Sequence, residues 1–174
     1  MTAVLDLLAA REPTLGAGRL LCIDGPAGSG KTTLAGQVAE RTGAPVLRMD
    51  DLYDGWRGLP TVGPHVLGIL EPLAAGAPGR YRRYDWHAGA YAEEHVVAPA
   101  PLLVLEGVGS GSLAWSSWAT ALVWVEADAE VRLARGLARD GEEYRDEWRQ
   151  WSEDEQVLFA RERTRERADL VLRT

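Results

Sequence analysis

The 174-residue sequence predicts a three-layer α/β sandwich built on a mostly parallel sheet of about five strands. Three observations predict it. Short apolar runs occur at Leu20–Asp24, Pro45–Met49, Leu102–Leu105, Ala121–Glu126 and Ala168–Leu172. They are too short for helices, and their near-continuous apolar character suits strands buried on both faces. Stretches with apolar residues at helical spacing separate them, which is the strand–crossover–strand pattern of a parallel sheet. Acidic residues follow two of the runs at once, Asp50 after the second and Glu106 after the third. The carboxyl ends of parallel strands are where such sheets bind ligands.

Composition narrows the function classes. The length suits one domain spanning 1–174. A net charge of −7 argues against a general nucleic-acid binder, which would carry a basic face. The lone cysteine, Cys22, falls inside the first strand and reads as a small core residue, with no disulfide partner. There is no run of 18 apolar residues and no basic region leading into a long apolar stretch. The expectation is therefore a cytoplasmic protein without a membrane partner. Oligomeric state is open.

In chain order, Val4–Ala10 predicts a short helix with Leu5, Leu8 and Ala9 on one face. It forms an N-terminal extension through residue 17. After the first strand, Gly25-Pro26-Ala27-Gly28-Ser29-Gly30-Lys31-Thr32 fits the pattern G-x-x-x-x-G-K-[ST] without a mismatch. Thr33 to Arg41 reads as the helix this motif requires after it, ended by Gly43. Glycines let successive N–H groups turn inward around a phosphate, and the helix N-terminus adds partial positive charge there. Lys31 would reach the outer phosphates, the hydroxyl of Thr32 would hold Mg²⁺, and Thr33 closes the set of nucleotide contacts. Lys31 is also the only lysine among 19 basic residues. A chain that uses arginine everywhere else keeps lysine where a compact, flexible ammonium is needed.

Asp50, at the tip of the second strand, could take a proton from an attacking hydroxyl or help hold Mg²⁺. Asp51 beside it is a candidate substrate contact. Val62–Ala75 reads as a helix carrying His65, a residue with no specific signal. Arg80 to His87 is the densest polar-aromatic cluster. Arg80, Arg82 and Arg83 suit anionic groups, and Tyr84, Asp85, Trp86 and His87 suit stacking on or hydrogen bonding to a substrate. The same segment would also read as a solvated hairpin. His95-Val96-Val97 suits a short strand. Glu106 is placed to bear on the metal. Leu113–Ala119 reads as a short helix. Asp128 is expected to cap a helix in which Arg132, Arg135 and Arg139 share one face, and residues 128–150 form a candidate lid. The three arginines could close over a triphosphate and stabilise charge during transfer. From Glu142 to Arg167 alternating charges predict an exposed helix anchored by Trp148 and Trp151.

Taken together, Asp24 to Thr32, Asp50-x-x-Tyr53, Tyr84-Asp85-Trp86, Leu105-Glu106-Gly107, the Arg132/Arg135/Arg139-Asp140 helix and the closing Glu155-Gln156 to Val171 resemble the uridine kinases and their relatives over most of residues 19–172. The resemblance implies a P-loop NTPase fold and use of ATP and Mg²⁺. It implies Asp50 as general base, Tyr53, Tyr84 and Asp85 toward a nucleoside, Glu106 at the metal, and Lys31 with the three arginines on the transferring phosphate. The chain departs from the pattern at Gly89, where those kinases carry histidine, at Trp86 in place of phenylalanine, and at Gly136 in place of an arginine. A nucleoside is the leading acceptor. Another small alcohol, a nucleoside monophosphate, or a nucleotide-hydrolysing switch acting on a protein partner remain alternatives.

Overall fold

A computed structural model describes residues 1–174. In chain order it contains α1 (Thr2–Ala9), β1 (Arg19–Asp24), α2 (Lys31–Thr42), β2 (Val46–Arg48), α3 (Gly63–Ala74), β3 (Gly79–Asp85), β4 (Ala90–Val97), β5 (Leu102–Glu106), β6 (Ala121–Glu126), α4 (Ala129–Asp140), α5 (Arg145–Glu162), α6 (Thr164–Arg167) and β7 (Leu170–Arg173). Five strands form one sheet in the order β2-β5-β1-β6-β7, and every pairing in it is parallel. β3 and β4 form a separate antiparallel hairpin.

The period-two alternation of the central strands divides the core into two layers. Leu20 and Cys22 of β1, with Leu103 and Leu105 of β5, join Leu47, Trp115, Trp151 and the α3 residues Val66, Ile69, Leu70 and Leu73 on one face. Leu21, Ile23 and Val104 point the other way, against Ala35 and Val38 of α2 and Val4 and Leu8 of α1. Helices therefore cover both faces, and the continuous apolar runs of β1, β5 and β6 follow from that double burial. No helix is long and apolar enough to cross a membrane.

Three local expectations change. α1 buries Val4 and Leu8, while Ala9 faces solvent, so its inner face is rotated from Leu5/Leu8/Ala9. Asp128 holds the N-cap position of α4, but its side chain caps nothing and pairs with Arg173 of β7 instead. α5 is not simply an exposed charged helix. It buries Glu155 and Glu162 as well as Trp148 and Trp151. Glu162 is held by the N–H of Leu113 at 2.7 Å, and Glu155 reaches the site described below.

The contact between α4 and α5 depends on one missing side chain. A Cβ at Gly136 would lie 2.1 Å from Cζ2 of Trp148, so the indole sits in the notch that glycine leaves. Gly136→Ala is expected to destabilise the chain by about 1–3 kcal/mol through overpacking. A lowered urea midpoint with an unchanged m-value would register this.

Candidate active site

The site begins where β1 ends. The chain turns through residues 25–30 and enters α2 with Gly30 as N-cap and Lys31 as the first helical residue. Lys31 is 7% exposed, and its Nζ donates to Pro26 O at 2.8 Å. Burial pulls the pKa of its ammonium down, while Asp24, Glu155, Glu106 and Asp50 pull it up. Four carboxylates thus act on one cation at the mouth of the loop.

Sequence reasoning missed Asp24 as part of this site. It is fully buried and accepts the N–H groups of Gly25 at 2.7 Å, Gly109 at 2.9 Å and Gly111 at 2.8 Å. It ties the start of the glycine-rich loop to the turn after β5. The available signal was a carboxylate ending an otherwise apolar strand, immediately before Gly25. Burial raises its pKa from 3.8 to about 6, against the three N–H donors and Lys31. The folded state therefore holds this proton more tightly than the unfolded chain. The stability from that proton is fully present below about pH 4 and is lost as the pH rises through 6. Stability measured against pH for the wild type and Asp24→Asn should diverge in the variant's favour by about 3 kcal/mol between pH 4 and 7. Hydrogen bonds lost by the amide offset the variant's curve without changing that slope. Parallel curves would contradict the prediction.

The sheet order brings the next two carboxylates alongside. β5 lies between β1 and β2, and Glu106 pairs in register with Ile23 on one side and Arg48 on the other. Glu106 is 3% exposed and accepts from the Thr32 hydroxyl at 3.1 Å. Burial and then Asp50 raise its pKa, while Lys31 and Thr32 oppose the rise. Asp50 follows β2 in a single 3₁₀ turn, Met49–Asp51, and is exposed. Asp51 is half-buried, which raises its pKa, with Arg48 opposing. The Thr32 hydroxyl, Glu106 and Asp50 are hard oxygen donors of the kind Mg²⁺ takes together with nucleotide phosphates, so these residues fit that ion.

The arginine helix lies over the loop. A Cβ at Gly28 (φ +76°) would stand 2.5 Å from Arg132 O, so the α4 backbone rests directly on the loop. Arg132 Nη1 donates to Ala27 O at 3.2 Å and to Glu155 Oε1 at 3.0 Å. Arg135 Nη1 donates to Thr174 Oγ1 at 3.0 Å and lies 3.4 Å from Gly28 O. Arg139 pairs with Asp140 and lies 5.9 Å from the Trp148 ring. Glu155, another residue the sequence did not single out for the loop, accepts from Ala27 N at 2.8 Å.

The aromatic residues divide differently from expectation. Tyr53 is 0% exposed, with its hydroxyl donating to Val108 O at 2.6 Å and its ring edge-on to Trp151. It is a core residue and presents nothing to a ligand. Asp85 accepts the N–H groups of His87 and Ala88, both at 3.0 Å, and pairs with Arg83, so its carboxylate closes the β3–β4 turn. The arginine cluster is also consumed within the hairpin. Arg80 pairs with Glu94, Arg83 with Glu93, and Arg82 donates to the carbonyls of Tyr91 and Ala92. Arg80 and Arg83 are thus paired with carboxylates of the same hairpin, while Arg82 stays exposed with no carboxylate partner. His87 is exposed, and its backbone N–H serves the turn. Tyr84 is buried against Trp86 and Tyr91. Trp86 does reach the site. Its Nε1 donates to Asp50 O at 2.9 Å, and its ring is 39% exposed. Trp56, which the sequence reading passed over, stands edge-on to Trp86 and stacks with Tyr144 at 5.9 Å. A separate cavity of about 290 Å³, lined by Leu47, Tyr81, His95, Val97 and Leu103 among others, lies between β2 and the hairpin and includes none of these groups.

Comparison with known proteins places this geometry. A structure described as a possible uridine kinase from Bacillus stearothermophilus superposes with a TM-score of 0.63 at 20% identity, covering 98% of this chain and 99% of that one. The fold is that of the P-loop NTPases. Shikimate kinase from Acinetobacter baumannii, in complex with shikimate, superposes with a TM-score of 0.54 at 18% identity over 92% and 86% of the two chains. In sequence, a tRNA dimethylallyltransferase from Phenylobacterium zucineum is 30% identical over 141 residues, 71% of this chain. The chain spans 43% of the length of that relative. No protein-family model matches the chain.

Proposed function

We propose that this P-loop protein is an ATP-dependent phosphotransferase that moves the γ-phosphoryl group to a hydroxyl of a small molecule, with a nucleoside as the leading acceptor. The observation that carries the proposal is the alignment of three strand ends: the loop with Lys31 and Thr32 after β1, Glu106 at the tip of β5, and Asp50 just beyond β2. Backbone N–H groups of Gly28 and of Gly30 to Thr33, at the N-terminus of α2, bind the phosphates, and Lys31 offsets charge on the outer ones. Thr32 and Glu106, with Asp50 at the end of the neighbouring strand, would hold Mg²⁺. Bound there, the ion would neutralise charge on the phosphate oxygens. Asp50 is exposed on the acceptor side and takes the proton of the attacking hydroxyl. Trp86 fixes the backbone of Asp50 and, with Trp56, offers an aromatic wall for the acceptor. Arg135 and Arg139 form the part of α4 that closes over the nucleotide.

The pairing of Arg80 and Arg83 with glutamates of their own hairpin weighs toward an acceptor without a phosphate over a nucleoside monophosphate. A second reading rests on the 30% identity with a tRNA dimethylallyltransferase, which would make the transferred group an isoprenoid. The net charge of −7 weighs against a tRNA partner. Incubation with γ-labelled ATP and a nucleoside tests the first reading directly, because label in a new phosphomonoester supports it. Prenylation of tRNA from dimethylallyl diphosphate, without label transfer from ATP, would replace it.

A further inference from the structure

Glu155 stands out because neither phosphoryl transfer nor packing accounts for it. It is 2% exposed, a buried carboxylate among the charged residues of α5, one turn beyond the core residue Trp151. Its Oε2 accepts from Ala27 N at 2.8 Å and its Oε1 from Arg132 Nη1 at 3.0 Å, while that same Nη1 reaches Ala27 O at 3.2 Å. The N–H and the C=O of one loop residue are thus held from two helices, and the two side chains that hold them are bonded to each other. A buried, charge-assisted ring of this kind is costly to open, because each opened bond leaves a desolvated group unpaired. The side chain of Arg132 is 14% exposed, and its Nε is buried without a partner. α4 and α5 are joined a second time where Trp148 fills the notch at Gly136.

We propose that Glu155 is a positioning residue which, through Arg132, couples the shape of the phosphate-binding loop to the α4–α5 pair, so that nucleotide in the loop and order in α5 stabilise one another. This rests on the nucleotide-binding part of the proposed function. It also assigns Arg132 to holding the loop, and leaves contact with the transferring phosphate to Arg135 and Arg139. The coupling is reciprocal, as any linkage between two equilibria must be.

Hydrogen exchange with and without ADP, together with ADP affinity by calorimetry, tests it without an acceptor. In the wild type, ADP should slow exchange in the loop and in the α5 segment around Glu155 together. Glu155→Gln keeps an acceptor for Ala27 N–H but loses the ion pair. It should bind ADP about tenfold more weakly, with protection of α5 by ADP lost. Loop protection without any change in α5 of the wild type overturns the proposal. So does a Glu155→Gln variant with a lowered Tm but wild-type ADP affinity, the result of a purely structural role. If the variant does not fold, the wild-type exchange data decide alone. Failure of ADP to bind the wild type would sink the nucleotide reading, and the coupling with it.

Discussion

Lys31→Ala should lower turnover by about 10²–10³-fold and weaken ATP binding, while the chain stays folded. The effect is large because Lys31 is the only lysine and the only ammonium in the loop, and no arginine nearby can replace it. Arg132 is held by Glu155 and Ala27, and the planar guanidinium of Arg135 is already directed at Thr174. Burial disfavours the charged ammonium, and Asp24, Glu155, Glu106 and Asp50 favour it. Truncation therefore leaves buried carboxylates that have lost a shared counter-charge, and phosphates that meet them unscreened. Calorimetry with ATP separates this outcome from global unfolding. Wild-type affinity in the variant would mean that the loop binds nucleotide without its cation and that the site has been misread.

Asp50→Asn should lower kcat by about 10²–10⁴-fold with ATP affinity nearly unchanged. Asp50 is exposed, so the substitution should change stability by no more than about 0.5 kcal/mol. The backbone of Asp50 stays fixed by Trp86 Nε1 at 2.9 Å, which the side-chain change does not touch. The proton acceptor is lost, and with it one negative charge that acts on Lys31 and Glu106. A fall in ATP affinity equal to the fall in kcat would assign Asp50 to the metal and not to the acceptor.

The sheet was legible because burial on both faces of a parallel strand leaves only apolar residues. Leu102–Leu105 and Ala121–Glu126 could hardly be anything else. The strand–loop–helix at residues 19–42 was legible because its motif fixes residue types at fixed spacing. The placement of Glu106 and Asp50 at the ends of neighbouring strands was legible from their position after apolar runs. What the sequence concealed has one physical cause: a charged residue looks the same whether it faces water or a buried partner. Glu155 sits in a row of charges at helical spacing that reads as a solvated face, and only the fold turns it onto Ala27. Asp24 reads as the last residue of a strand until Gly109 and Gly111 are brought to it from 85 and 87 residues away. The reverse error affected Arg80, Arg82, Arg83 and Asp85. They read as ligands because their hairpin partners Glu93, Glu94 and the turn at His87–Ala88 are a matter of register. Tyr53 was misjudged for the same reason, since its hydroxyl is satisfied by a carbonyl 55 residues away.

The measurement that bears most directly on the central claim is ADP formation with Mg-ATP across a panel of nucleosides, nucleoside monophosphates and small alcohols, run beside Asp50→Asn. One acceptor without a phosphate, most simply a nucleoside, should raise turnover well above background and yield one phosphorylated product per ADP. Asp50→Asn should abolish that stimulation. ATP binding with no acceptor in the panel raising turnover, or stimulation that survives in Asp50→Asn, would contradict a kinase whose acceptor is activated by Asp50.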